Sequence, residues 1–146
     1  HIGTDYRLRT TACDTPVAPR IALHLWPAMN DLSGYAADDF CYLTTTGRRS
    51  GNPHTIEIWF ALHGRTLYML AGGRDKSDWV RNLMRNPAVR VRLREETCAA
   101  TARVVSDLAE DALARELVVG KYQPRDPDDL SDWGRTALAV AVDIPA

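Results

Sequence analysis

The sequence predicts an α+β fold that is mainly β: a small barrel of about six mostly antiparallel strands with flanking helices. Three observations carry this. Short runs rich in aromatic and β-branched residues recur, each stopped by a cluster of Gly, Pro, Asn or Asp. Most neighbouring runs are joined by turns too short for a crossover, so they pair as hairpins. One segment, Ser77 to Arg85, carries the start and stop signals of a helix, which falls between the third and fourth strands. Strands this short and this apolar on one face need closure or a packed partner to protect their edges. With 146 residues, 45% of them hydrophobic, the chain is long enough for one domain with a substantial core.

Residues 1–20 read as an N-terminal arm, and 21–146 as a single domain. Ile21 to Met29 is apolar but interrupted by Pro27, so it reads as irregular or as one helical turn. Phe40 to Thr46 is the first strand, stopped by the turn Gly47-Arg48-Arg49-Ser50-Gly51-Asn52-Pro53. Pro53 to Leu62 is the second, with Ile56, Ile58 and Phe60 on one face and Thr55, Glu57 and Trp59 on the other. His63-Gly64 turns the chain into a third strand, Thr66 to Leu70. After Gly72-Gly73, Ser77 or Asp78 caps a helix with Trp79, Val80 and Leu83 as its apolar stripe, ended by Asn86-Pro87. Ala88 to Arg94 alternates, with Val89, Val91 and Leu93 inward and Arg90, Arg92 and Arg94 outward, and Thr97 to Val105 pairs back on it. Asp107 and Glu110 form a capping box for a helix from Leu108 to about Val119. Gly120 to Asp132 reads as a polar loop, and residues 137–144 as a last strand.

Charge is distributed unevenly along the chain. The total is −1, yet residues 1–47 carry −2, residues 48–94 carry +7 and residues 95–146 carry −6. A basic middle third focuses potential toward an anion, while the acidic remainder argues against a nucleic-acid surface. Of the 18 basic residues 16 are Arg, whose planar forks suit phosphate and carboxylate. Three scattered cysteines without a CxxC pair indicate neither a disulfide framework nor zinc. No apolar run approaches the ~20 residues of a bilayer span, and no secretion signal is visible, so a cytoplasmic location is expected.

Two features could hold an anion. The turn from Gly47 to Gly51 offers Arg48, Arg49, the Ser50 hydroxyl and free backbone amides in a small space. Gly72, Gly73, Arg74 and Lys76 lead directly into a helix N-terminus, whose amides favour phosphate. The plain alternative for the turn is a basic hairpin tip in solvent. Other chemistry is poorly supported: the four histidines lack metal-binding spacing, and there is neither a P-loop nor a nucleophile elbow. Cys41 reads as core, Glu57 as an exposed strand residue or a pocket carboxylate, and Trp79 as helix core or the flank of a planar ring. Tyr122 begins the polar loop, as a surface tyrosine or part of a lid.

The ordered set resembles a known family. Tyr42-Leu-Thr-Thr-Thr-Gly-Arg-Arg-Ser-Gly-Asn-Pro-His54, then Gly72-Gly-Arg-Asp-Lys-Ser-Asp-Trp79, Asn82-Leu and Asn86-Pro-Ala-Val-Arg-Val91 are similar to the deazaflavin-dependent nitroreductases. These are split β-barrel oxidoreductases of actinobacteria and archaea, related to the pyridoxamine-phosphate-oxidase-like flavin-binding group. The resemblance implies coenzyme F(420), a deazaflavin with a phosphate and an acidic oligoglutamate tail. It implies contacts to the coenzyme from Arg48, Arg49, Ser50 and His54, and from the strand at Ile56, Glu57 and Ile58. On the other side it implies Gly72, Gly73, Lys76, Ser77, Trp79 and Asn82. Trp59 and Tyr122 would lie on the substrate side, and hydride would pass to a quinone, enone or nitroaromatic. The tyrosine-rich C-terminal segment of nitro-drug-activating members is not present in full, and no proton donor can be named. FMN on the same fold, or a non-catalytic carrier of a flavin or lipid, are the alternatives. Peripheral membrane contact, and monomer against homodimer, stay open.

Overall fold

The computed structural model describes residues 9–10 and 32–145. Eight strands follow in chain order: β1 (Arg9–Thr10), β2 (Cys41–Thr46), β3 (Pro53–Ile58), β4 (Ala61–His63), β5 (Thr66–Ala71), β6 (Ala88–Leu93), β7 (Glu96–Val104) and β8 (Leu138–Asp143). Three α-helices accompany them: α1 (Asp78–Arg85), α2 (Leu108–Tyr122) and α3 (Ser131–Thr136). All pairings are antiparallel, in the order β1-β3-β2-β6-β7-β8-β5-β4. β1 lies in the segment read as an arm and pairs Arg9 with Glu57. The Ile21 to Met29 stretch lies outside the described residues.

That order dictates the shape. Only Trp59 and Phe60 separate β3 from β4 in sequence, yet the two strands lie six places apart in the sheet. Three Cα steps reach about 11 Å at most, whereas six flat strand spacings need about 29 Å. The sheet must therefore curl until its ends approach one another, giving a split barrel.

The single strand expected from Pro53 to Leu62 is thus two strands: β4 is one edge of the sheet, and β3 lies next to the other edge, inside β1. Side chains from the end of α2 make the break possible. The Phe60 amide donates to the Tyr122 hydroxyl (3.1 Å), and its carbonyl accepts from Lys121 Nζ (2.8 Å). The corner residue is satisfied without a ladder partner. The Tyr122 hydroxyl also donates to the Asp39 carbonyl (2.7 Å).

Two apolar cores result. Leu43, Ile58, Phe60, Leu67, Met69, Val91 and Leu93 fill the barrel, and α1 adds Trp79, Val80 and Leu83 to the same core. A second core forms where Val118, Tyr122 and Trp133 from α2 and α3 cover Tyr68, Leu70, Ala139 and Ala141 on the outer face of β5 and β8. The segment expected to be a polar loop, Gly120 to Asp132, is more ordered than its composition suggests. α2 runs on to Tyr122, a 3₁₀ turn covers Gln123–Arg125, and α3 starts at Ser131. Burial of Tyr122, Leu130 and Trp133 overrides local polarity here, and the Gln123 amide bridges the Asp128 carbonyl and the Leu130 amide.

The capping box forms by half. Asp107 accepts from the Glu110 amide (2.9 Å), but the Glu110 carboxylate turns instead to Arg103 (2.7 and 2.8 Å) and the Tyr68 hydroxyl (2.7 Å). Arg103 also reaches Asp143 (2.7 Å), so one guanidinium ties α2 to β7 and β8. Its hydrogen bonds are the main reason the Glu110 carboxyl is held down at about 2.

Tyr122→Phe is expected to lower stability by about 1–3 kcal/mol in a urea melt, because it leaves the Phe60 amide buried without an acceptor. Glu110→Gln should cost about 1 kcal/mol at neutral pH, the scale of a partly exposed ion-pair network. Since the folded carboxyl titrates below its unfolded value, that difference should be complete above about pH 4.5 and fade as pH falls toward 2.

Candidate functional site

Register brings the two features expected to hold an anion to one rim. Pairing of Tyr42 with Arg92, Leu43 with Val91 and Thr44 with Arg90 sets the start of β6 beside the end of β2. α1 feeds β6 through Asn86-Pro87, and the 47–52 turn leaves β2 at the same place. The turn is tightly folded: the Gly47 amide donates to the Asn52 carbonyl (2.7 Å) and the Gly51 amide to the Gly47 carbonyl (2.8 Å). A Cβ on Gly47 would stand 2.7 Å from His54 Nε2 and 2.8 Å from Ser50 Oγ, so no larger residue fits without moving them. Gly51 has φ +77°, a conformation that favours glycine.

On the α1 side, Gly72-Gly73 and a 3₁₀ turn, Arg74–Lys76, lead to Ser77 at the N-cap. Arg74 adopts φ +55°, a strained backbone for a residue with a side chain, and its guanidinium bonds the Thr136 carbonyl. Ser77 has the extended backbone of a cap residue but forms no cap bond. It is only 6% exposed, and its hydroxyl has no partner. The buried Trp79 Nε1 also has none. The helical ladder begins with the Arg81 amide on the Ser77 carbonyl (3.0 Å), which leaves the first-turn amides outside it.

One side chain fastens the two halves together. Asn82 Oδ1 accepts from the backbone amide of Arg48 and from Arg48 Nη1, each at 3.0 Å. Asn82 Nδ2 donates to Thr45 Oγ1 (3.1 Å), and Arg48 Nη2 reaches the exposed Asp78 carboxylate (3.1 Å). Thr45 and Asp78 were not among the residues expected here. The signal for Thr45 is its place on the inward face of β2 after Cys41 and Leu43, where a hydroxyl requires an internal partner.

Of the expected site residues, Arg48, Ser77, Trp79 and Asn82 belong to this rim or its underside, with Gly72 and Gly73 on the approach to α1. Arg49, Ser50, His54 and Lys76 are exposed. Ile56 and Ile58 point into the barrel, so only their backbone could meet a ligand. Glu57 is half-buried on the outer face and accepts from the Tyr42 hydroxyl (3.1 Å). Trp59 and Tyr122 lie elsewhere, since β3 carries the chain about 17 Å away from the turn. Their rings stack at 4.1 Å, and Trp133 meets Trp59 edge-on. Tyr122 ends α2 rather than opening a loop, and it is 2% exposed with its hydroxyl engaged. Burial pushes its ionisation well above the ordinary tyrosine range. Cys41 is likewise core, its thiol raised by burial.

The donor set fits a phosphate-bearing ligand. Arg48 has spent only two of the five N–H donors of a guanidinium. It contacts α1 at Asp78, next in sequence to Ser77 with its buried hydroxyl in need of a partner, and the first-turn amides of α1 lie outside the ladder. Among the described residues no group of three His, Cys, Asp or Glu side chains could hold a metal ion. Ser77→Ala is expected to cost less than ~0.5 kcal/mol in a urea melt of the ligand-free protein, against ~1 kcal/mol for an ordinary cap serine, because no cap bond is lost.

The family model described as F(420)H(2)-dependent quinone reductase matches residues 29–145. An F(420)-H2 dependent reductase structure is 21% identical at TM-score 0.59, covering 73% of this chain and 95% of that one. A conserved hypothetical protein from Mycobacterium tuberculosis is 19% identical at TM-score 0.61, covering 94% and 85%. An FAD-binding protein from Mesorhizobium loti is 14% identical at TM-score 0.56, covering 95% and 94%. At such identities these structures share the fold. The family match, by contrast, runs through β2, the Arg48 turn, α1 and both C-terminal helices, and by it this chain belongs to the F(420)H(2)-dependent quinone reductases, oxidoreductases that use a reduced deazaflavin coenzyme.

Proposed function

We propose that this F(420)-dependent oxidoreductase reduces a quinone, and that the rim formed by the 47–52 turn and the start of α1 holds the coenzyme's phosphate. The carrying observation is that the partly used Arg48 guanidinium bonds Asp78 at the start of α1, next in sequence to Ser77, whose buried hydroxyl has no partner. The family description favours a quinone over a nitroaromatic or an enone.

In this reading Arg48 supplies charge-assisted hydrogen bonds from its free donors, and Ser77 donates its hydroxyl proton together with the first amides of α1. Arg49 and Lys76, both exposed, would extend positive potential along the acidic tail, with the exposed His54 beside the turn as a further hydrogen-bonding group. Gly72 and Gly73 allow close backbone approach, and the strand backbone at 56–58 would line the ring. When bound, the reduced coenzyme supplies hydride from its C5 carbon. Trp59, half-buried and backed by the Tyr122 ring, would give the electron-poor acceptor a flat apolar wall.

Titration with oxidised F(420), followed by its fluorescence, tests the cofactor site. Saturable binding at micromolar coenzyme is expected, and Arg48→Ala should weaken it about ten- to a hundredfold, the worth of a charged hydrogen bond. Oxidation of the reduced coenzyme should then be faster with a short-chain quinone than with a nitroimidazole. No turnover with any quinone would overturn the substrate assignment, and FMN binding in place of F(420) would overturn the placement of the coenzyme.

A further inference from the structure

We infer that Asn82 is a positioning residue: it serves the coenzyme without touching it, by fixing Arg48 in the orientation that receives the phosphate. This deepens the proposed function and rests on it. The sequence motif alone would count Asn82 among the ligand contacts, but its hydrogen-bond inventory says otherwise. A carboxamide offers two acceptor sites on its oxygen and two N–H donors on its nitrogen. In Asn82 both acceptor sites are taken by Arg48, through the backbone amide and Nη1, and one donor is committed to Thr45. The side chain is 4% exposed and Thr45 1%. A single remaining N–H on a buried group is a poor receiver for a polyanion, whereas Arg48 beside it is more open and keeps three donors in hand.

The choice of amide matters. A flexible Arg loses much of its rotamer entropy when it is ordered. An internal anchor meets that cost before the ligand arrives. A carboxylate in the same place would orient the guanidinium equally well but would also cancel its charge. Asparagine orients it and leaves the charge intact. Asp78 is the opposite kind of partner: charged, yet 85% exposed, so its bond is weak in water and can be given up to an incoming phosphate. Buried and neutral on one nitrogen, exposed and exchangeable on the other, the two contacts divide holding from release.

A double-mutant cycle on the full chain, read as F(420) affinity by fluorescence, tests this. Asn82→Ala is expected to weaken binding roughly five- to thirtyfold in the wild-type background, the range for groups in one hydrogen-bond network. In an Arg48→Ala background the same change should cost about threefold less or smaller still, the remainder coming from the backbone amide that Asn82 also holds. Equal losses in both backgrounds would mean that Asn82 acts independently of Arg48 and would overturn the inference. Thermal melts of all four proteins accompany the titrations, and the isosteric Asn82→Leu replaces the alanine variant if that fails to fold. In ligand-free protein the Arg48 side-chain N–H resonances should be resolved and slow to exchange, and should average out in the Asn82 variant. Unchanged resonances would also overturn it. A wild-type chain that does not bind F(420) would overturn the proposed function and this inference together. Additive losses in a chain that does bind overturn this inference alone.

Discussion

Two residues, Trp59 and Phe60, must carry the chain between strands that occupy distant places in the sheet, and the architecture follows from meeting that demand. The sheet curls because so short a link allows nothing else. Phe60 can leave the ladder because Tyr122 and Lys121 take over its backbone hydrogen bonds. Those side chains must then be delivered by a helix packed on the outside of the barrel, which creates the second core and buries β5 on both faces. Lys121 bears the electrostatic cost of this service: burial, aided by Arg125, pulls its ammonium down to about 8.

The rim site depends on the same register at one remove. Residues 34 apart in sequence, Arg48 and Asn82, touch because β2 and β6 are neighbours and α1 precedes β6. The summed charge of the basic middle segment gives the sign of a partner but not its address. Arg94 pairs with Asp38, Arg65 bonds carbonyls at the chain's end, and Arg92 lies over the Tyr42 ring at 4.2 Å. Much of the +7 is therefore spent on holding strands and loops. What distinguishes Arg48 is a buried neutral partner, Asn82, that fixes it while three of its guanidinium donors stay uncommitted.

Alternation made most strands readable: Val89, Val91 and Leu93 point inward and the arginines between them outward, as their spacing requires. The cap and the Asn-Pro stop likewise gave α1 its bounds. The strand break at Trp59 left no local mark, since its cause lies some sixty residues away in α2. Gly120 to Asp132 reads as loop because its ordering comes from tertiary burial and one bridging amide rather than from periodicity. The Asp107–Glu110 spacing was real, but a stronger cation captured the glutamate. At the site, glycines and arginines flagged the turn and helix start in advance. The contact that joins them was invisible, because hydrogen bonding between distant side chains has no signature in spacing.

Leu43, Phe60, Leu67, Met69 and Val91 leave the barrel interior filled with hydrocarbon, so any guest must sit on the mouth and not within the lumen. Hollowing out that interior for a bulkier acceptor would sacrifice about 2–5 kcal/mol for each large side chain truncated. Lengthening or reshaping the loops at the mouth carries a far smaller penalty. Substrate range and foldedness are consequently written in separate parts of the sequence, and descendants of this scaffold are free to change the first while the second stays put.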